Sequence, residues 1–251
     1  MKELIDGIYA LWVYLPLSGL SRKWRRFSRK LRGKKGTLLQ DITLPSVSWK
    51  QYTKLRSVKL WEQDKANGNI RVSELAILNL LARGVDEHSN IFEIGTFDGR
   101  TSLNLALSSP DNCKIYTLDL KPEMDTVYQL ASGEEHMVEK VMSGERIKKY
   151  ISTDKDMSNK IHQLFGDSAN FDFSPYYNTC SLVFVDGSHA YDYALSDTEH
   201  AKKMVKKGGI IIWHDYGIWE GVTQALEEIE QKESMGLVNI SGTSLVYWKN
   251  E

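Results

Sequence analysis

From residue 90 to its end, the chain alternates short apolar runs with longer stretches whose apolar positions recur every three or four residues. The runs are IFEI (91–94), KIYTL (114–118), IHQLF (161–165), LVFV (182–185) and IIIW (210–213). Short, nearly continuous runs suit strands buried on both faces, and helical stretches between them imply parallel crossovers. LVNI (237–240) and SLVYW (244–248), joined by Ser241-Gly242-Thr243, predict a closing hairpin whose last strand runs antiparallel to the others. Ahead of the first run, Ser73 is placed to cap a helix over 74–82, with Leu75, Leu78 and Ala82 on one face. The expected fold class is α/β: a doubly wound, mostly parallel seven-stranded sheet with an antiparallel last strand, plus an N-terminal helical extension.

Composition narrows the class of protein. Hydrophobic residues at 41% and charged residues at 26% of 251 positions are those of a globular chain with a full core, which excludes a wholly disordered, collagen-like or polytopic membrane protein. Cys113 and Cys180 have no C-x-x-C partner or Cys/His cluster, so neither a disulfide scaffold nor a structural zinc site is expected, and a cytoplasmic setting fits.

The formal charge of -1 conceals a split. Ten basic residues against two acidic ones put +8 on residues 1–35, nine of those basic residues falling between Arg22 and Lys35, and -9 remains for the rest. The preceding stretch 4–20, LIDGIYALWVYLPLSGL, carries Asp6 and Pro16 and falls short of the roughly 20 apolar residues of a spanning helix. Two readings of 1–35 stay open. One is a segment lying in the membrane interface, with Tyr9, Trp12, Tyr14, Trp24 and Phe27 at headgroup depth and the basic block on anionic lipid, which places the protein at the inner face of the membrane. The other is a helix packed on the domain or on a second copy in a homo-oligomer. Nucleic acid is not an expected partner, because the domain behind the basic segment is acidic. Residues 36–71 read as a connector of helix and loops, 72–251 as the main domain, and 121–160 as a polar insert, either a lid or substrate-binding element or a surface excursion.

The sharpest local signal is Ile91-Phe-Glu-Ile-Gly-Thr-Phe-Asp-Gly-Arg-Thr-Ser102, a strand ending in a glycine turn that opens a helix. Gly95 and Gly99 let the backbone approach a ligand at the carboxyl end of a strand. Their spacing is not the G-x-G-x-x-G of nicotinamide enzymes. Asp119 ends the next strand, where an acid accepts hydrogen bonds from ribose hydroxyls.

These residues resemble the class I S-adenosylmethionine-dependent methyltransferases. E-I-G-T-x-x-G-x-T-S is similar to their first motif, Asp119 to the ribose-binding acid, and Gly166-Asp167-Ser168 to the segment flanking adenine. Val185-Asp186-Gly187-Ser188-His189 and Gly208-Gly209-Ile-Ile-Ile-Trp-His214-Asp215 resemble the fourth and fifth strand ends of a bacterial branch related to catechol, caffeoyl-CoA and macrocin-type O-methyltransferases. The resemblance implies that Glu93, Gly95, Thr96, Gly99 and Ser102 surround the methionine and ribose of the cofactor, with Asp119 on the ribose and Asp167 and Ser168 beside adenine. It implies transfer of a methyl group to a hydroxyl of a small molecule, sugar or glycan. Asp186 and Asp215 then stand where that branch binds Mg²⁺ or another divalent cation, although Tyr216 replaces its following asparagine. His189 stands where the catechol enzymes carry a base, and an imidazole suits that task at neutral pH. His214 is a weaker second candidate, as a base or as a brace for Asp215. Trp213, Tyr216 and Trp219 serve either as packing or as a wall against the acceptor. Two alternatives are a metal-dependent hydroxylase or oxidoreductase on the same fold, and a non-catalytic cofactor-binding scaffold subunit.

Overall fold

The computed structural model describes residues 41–55, 58–62, 69–134, 142–151 and 159–251. The segment 1–35, with its expected membrane-interface or oligomer role, lies outside the described residues, as do 36–40 of the connector and 135–141 and 152–158 of the insert. Among the described residues, no helix is long and apolar enough to cross a membrane.

In chain order the elements are β1 (Ser46–Val47), α1 (Val72–Ala82), β2 (Asn90–Ile94), α2 (Arg100–Ser108), β3 (Lys114–Asp119), α3 (Glu145–Ile151), β4 (Ile161–Phe165), β5 (Cys180–Val185), α4 (Tyr191–Met204), β6 (Val205–Trp213), α5 (Glu220–Glu233), β7 (Val238–Ile240) and β8 (Val246–Lys249). They form one sheet in the order β1-β7-β8-β6-β5-β2-β3-β4. Strands β2 to β6 pair in parallel, while β8 runs antiparallel to both β6 and β7. From β2 the chain builds outward through β3 and β4, then returns to the other side of β2 for β5. The reversal opens a crevice at the carboxyl ends of β2 and β5, where doubly wound sheets place their ligands.

Alternation along each strand feeds two buried layers. On β5, Leu182 and Phe184 join the layer that holds Leu75, Leu78 and Leu103, whereas Val183 and Val185 join the one that holds Ala201 and Leu226. The same period on β2 sends Ile91 to the first layer and Phe92 and Ile94 to the second.

The structure differs from the sequence reading at two points before β2. The sheet has eight strands among the described residues, because Ser46 and Val47 pair in parallel with Asn239 and Ile240 of β7. A two-residue edge strand has no periodicity to read. Helix α1 starts at Val72, so Ser73 lies inside it and is not its cap; the Glu74 carboxylate accepts from the Arg71 amide at 3.0 Å instead. Nor does α1 have a single apolar face. Glu74 to Ala82 are all buried, since the connector's Trp49, Val58 and Leu60 pack on the same layer and Asn79 Nδ2 donates to the Lys59 carbonyl.

Candidate active site

A cavity of about 380 Å³ opens at the crevice. Gly95 and Phe97 after β2, Asp119 on β3, Asp167 and Ser168 after β4, Asp186 and His189 after β5, and His214 and Asp215 after β6 all line it. Gly95 is held at φ +100°, and a β-carbon there would lie 2.0 Å from the Asp186 carbonyl oxygen. The absence of a side chain is what lets the ends of β2 and β5 close on each other.

Four residues of the first motif stand behind the cavity and do not line it. Glu93 points into the layer under α2, fully buried, where its carboxyl accepts from Ser102 Oγ and from Thr117 Oγ1 at 2.7 Å. Thr96 Oγ1 bonds Thr117 Oγ1 at 2.7 Å, extending the chain. Burial pushes the Glu93 carboxyl up to about 8, against the lowering pull of Ser102 and Thr117. Gly99 caps α2 at φ +85°, where a β-carbon would strike Ile147 of α3 at 2.6 Å. The expected contacts of Glu93, Thr96, Gly99 and Ser102 with a ligand are therefore not what this geometry offers; they shape the loop that carries Gly95.

Asp119 reaches the cavity, and burial pushes it up to about 6 despite hydrogen bonds from Ser143 Oγ and the backbone. Asp167 accepts from the Val127 amide at 2.6 Å, Tyr193 Oη at 2.9 Å and the Ala169 amide at 2.9 Å. Val127 and Ser143 belong to the insert, so its described parts rest on both acids.

The far end of the cavity is ionic. His189 lies between two carboxylates, Nε2 at 2.7 Å from Asp215 and Nδ1 at 2.8 Å from Glu134, and its ring stacks on Trp219 at 4.3 Å between centroids. Burial opposes the imidazolium, but the two carboxylates outweigh it and lift the ring to about 10. His214 Nδ1 is 2.9 Å from Asp186 and 3.2 Å from Asp215, while Nε2 bonds Glu74 at 3.4 Å. Burial works against its proton too, yet Asp186 and Asp215 raise it well above the ordinary histidine value. Burial raises Asp186, whereas His214 and His189 overcome burial and hold Asp215 far below the carboxylate range. Asp215 itself sits at φ +64°, a left-handed backbone that aspartate tolerates better than most residues and that is concentrated at functional sites.

Asp186, His214 and Asp215 each offer one ligand atom, all within 4.8 Å of one another. Two carboxylates and one imidazole suit a divalent cation, the imidazole tilting preference from Mg²⁺ toward Mn²⁺, Fe²⁺ or Zn²⁺. With one imidazole, this donor set differs from the two-His, one-carboxylate set of the iron oxygenases.

Of the aromatic trio, only Trp219 lines the cavity. Trp213 is core, its Nε1 donating to Thr198 at 2.9 Å, and the Tyr216 hydroxyl ties the connector by accepting from the amides of Thr43 and Leu44. Two acids escaped the sequence reading. Glu74 looked like an ordinary first-turn acid of α1, and Glu134 lay in the polar insert; neither has a local pattern, and only their contacts reveal them.

A parallel sheet with its crevice at the reversal of strand order, glycine-lined on one side and acid-lined on the other, defines a nucleotide-cofactor enzyme of the doubly wound class. Residues 92–216 match the family described as "Methyltransferase domain", and the chain belongs to the class I S-adenosylmethionine-dependent methyltransferases. Among solved structures, the fold is similar to the O-methyltransferase NovP, with TM-score 0.55 and 17% identity over 72% of this chain and 80% of that one. It is also similar to the S-adenosylhomocysteine-bound methyltransferase PaMTH1 of Podospora anserina, with TM-score 0.53 and 18% identity over 73% and 81%. No curated protein matches the sequence.

Proposed function

We propose that this methyltransferase acts on a hydroxyl of a small molecule, sugar or glycan, with a divalent cation at the acceptor end of the cavity. The observation that carries the reading is that the acids expected at the cofactor, Asp119 and Asp167, share one cavity with Asp186, His189, His214 and Asp215. Gly95 admits the cofactor to the β2 backbone, Asp119 accepts its ribose hydroxyls, and Asp167 and Ser168 flank the adenine. Bound S-adenosylmethionine supplies an electrophilic sulfonium methyl, and the cation supplies a Lewis acid that lowers the pKa of the acceptor hydroxyl.

Asp186 and Asp215 would hold the cation, with His214 Nδ1 as third donor. His189 takes the acceptor's proton at Nε2 while Glu134 holds Nδ1 and Trp219 supports the ring face. That role requires Asp215 to turn from Nε2 onto the cation: one of the two carboxylates that keep the ring protonated is then neutralised, and His189 gives up its Nε2 proton before it can accept the acceptor's. The protein's further work is to hold the acceptor oxygen in line with the methyl group. NovP is an O-methyltransferase, which supports the hydroxyl acceptor by analogy of fold.

Calorimetric titration with S-adenosylhomocysteine, with and without Mg²⁺, tests the cofactor half. Micromolar binding that Asp119→Ala weakens about 10- to 100-fold is expected, and no binding in either condition would refute it. Transfer of labelled methyl from S-adenosylmethionine to a panel of hydroxylated acceptors, with and without EDTA, tests the rest. We also propose that residues 1–35 hold the domain at an anionic membrane, supported by their +8 charge. Deleting them should release the protein from phosphatidylserine vesicles, and unchanged vesicle binding refutes the anchor.

A further inference from the structure

Glu74 is a fully buried acid that lines the cavity and that the proposed mechanism does not use. It lies in the first turn of α1, outside residues 92–216, and has no exposed surface. One carboxylate oxygen, Oε1, accepts from the Ser244 amide at 2.8 Å, from Ser244 Oγ at 2.9 Å and from Arg71 Nη2. The other, Oε2, accepts from the Arg71 amide at 3.0 Å and Arg71 Nε at 2.9 Å, and faces His214 Nε2 at 3.4 Å. Glu74 therefore joins three segments far apart in sequence: the start of α1, the turn of the β7–β8 hairpin and the end of β6.

Such a site is costly to bury unless the charge is used, and its geometry says how. The carboxylate is held rigidly by Ser244 and Arg71, so the direction from which it meets His214 is set by the fold. A carboxylate on Nε2 holds a proton on that nitrogen, so Nδ1 is the nitrogen that a cation bound by Asp186 and Asp215 would take, displacing the proton there. Nδ1 points between Asp186 and Asp215 and, although only 2.9 Å from the former, makes no hydrogen bond of acceptable geometry to either. Two carboxylate oxygens and a buried ring nitrogen that converge in this way are a donor set that a divalent cation fits. In metal sites the carboxylate behind a ligating imidazole fixes its orientation and raises its basicity.

Resting on the cation site proposed above, we infer that Glu74 is the positioning residue of that site: it fixes His214 as an Nδ1 ligand, so that helix α1 and the hairpin turn help set the affinity for the metal. Glu74 touches neither cofactor nor acceptor in this assignment, and its effect is read in metal binding.

The test is Mn²⁺ binding to the full chain, followed by electron paramagnetic resonance of free Mn²⁺, alongside S-adenosylhomocysteine binding in EDTA. Glu74→Gln should weaken Mn²⁺ about 10- to 100-fold and leave S-adenosylhomocysteine affinity within about twofold. Ser244→Ala, which removes the hydroxyl bond to Glu74 but keeps the Ser244 amide bond and the carboxylate itself, should cost clearly less Mn²⁺ affinity than Glu74→Gln. Equal Mn²⁺ affinity in Glu74→Gln and the parent overturns the inference, and so does an equal loss in Ser244→Ala, which would mark a general structural effect. Should Glu74→Gln fail to fold, the parent decides. With ¹⁵N-histidine label and ¹¹³Cd²⁺ loaded, coupling to His214 Nδ1 with a retained Nε2 proton supports the inference, and coupling through Nε2 overturns it. A parent that binds S-adenosylhomocysteine but neither metal overturns this inference and leaves the methyltransferase standing; a parent that binds no S-adenosylhomocysteine refutes the cofactor half of the proposed function instead.

Discussion

The two ends of the parallel strands are instructively unequal. At the carboxyl ends lies the cavity of about 380 Å³ with its converging acids and histidines. At the amino ends lies a groove of about 880 Å³, lined by Tyr52, Leu80, Gly208, Ile210, Tyr247 and Trp248 among others. The larger space is the chemically plainer one. Of its two acids, Asp86 and Glu251, the former is largely exposed and pairs with Lys206, an arrangement worth little in water. The difference comes from topology. Strand order reverses at the carboxyl ends, and α2, α4 and α5 all begin there, so their amino-terminal dipoles favour the carboxylates that gather in the crevice. Volume does not mark the working end of such a sheet; the direction of its strands and helices does.

The sharpest way to break this contrast is with glycines. Gly95→Ala must displace the Asp186 carbonyl, which its β-carbon would meet at 2.0 Å. We expect destabilisation of about 3 kcal/mol and loss of S-adenosylhomocysteine binding, read by thermal unfolding and calorimetry. His189→Ala should lower methyl transfer by about 10²- to 10⁴-fold with cofactor affinity intact. Undiminished turnover would end its role as base. Asp119→Ala should weaken S-adenosylhomocysteine by about 10- to 100-fold, whereas Trp248→Ala, in the amino-end groove, should not change it.

Asp197 of α4 offers a pH test of the carboxyl end. It is fully buried, and burial, with Asp167 and Glu134 near, pushes its carboxyl up to about 7 while Ser168 pulls the other way. An unfolded aspartate titrates near ~3.9, so between pH 4 and 7 the folded state holds the proton that the unfolded state has lost. Asp197 should therefore cost the parent stability as pH rises across that window, alongside Glu93 and Asp119, whose raised carboxyls act in the same sense. Asp197→Asn should make this slope shallower, and an unchanged difference between the denaturation midpoints of variant and parent from pH 4 to 8 would show that Asp197 carries no part of it. The smallest effect is expected at Gly208, held at φ +80° with nothing within 4 Å of a new β-carbon. Gly208→Ala should cost only the left-handed backbone, about 1 kcal/mol, with cofactor binding unchanged.

Much of this was legible in one dimension. The apolar runs located β2 to β8 within a few residues, and the glycine turn after IFEI and the acid of TLDL pointed to the crevice. Glu93, Thr96 and Ser102 were expected as ligand contacts, and the structure places them behind the cavity for a simple reason. A motif shows which residues cluster, but the alternation along β2 decides that Glu93 faces α2 while Gly95, beyond the strand end, faces the ligand. The connector was misread for the opposite reason: β1 is too short to leave a pattern, and its partner β7 lies nearly two hundred residues away.

By itself, then, the sequence determined the order and kind of the elements, the turn that needs Gly95, and the set of acids and histidines at the strand ends. These follow from local rules of periodicity and backbone conformation. Tertiary structure alone decided that Glu134 meets His189 and that Glu74 meets both Ser244 and His214. Each of those contacts joins segments more than fifty residues apart, and it exists only because the sheet, once formed, brings its loops to one end.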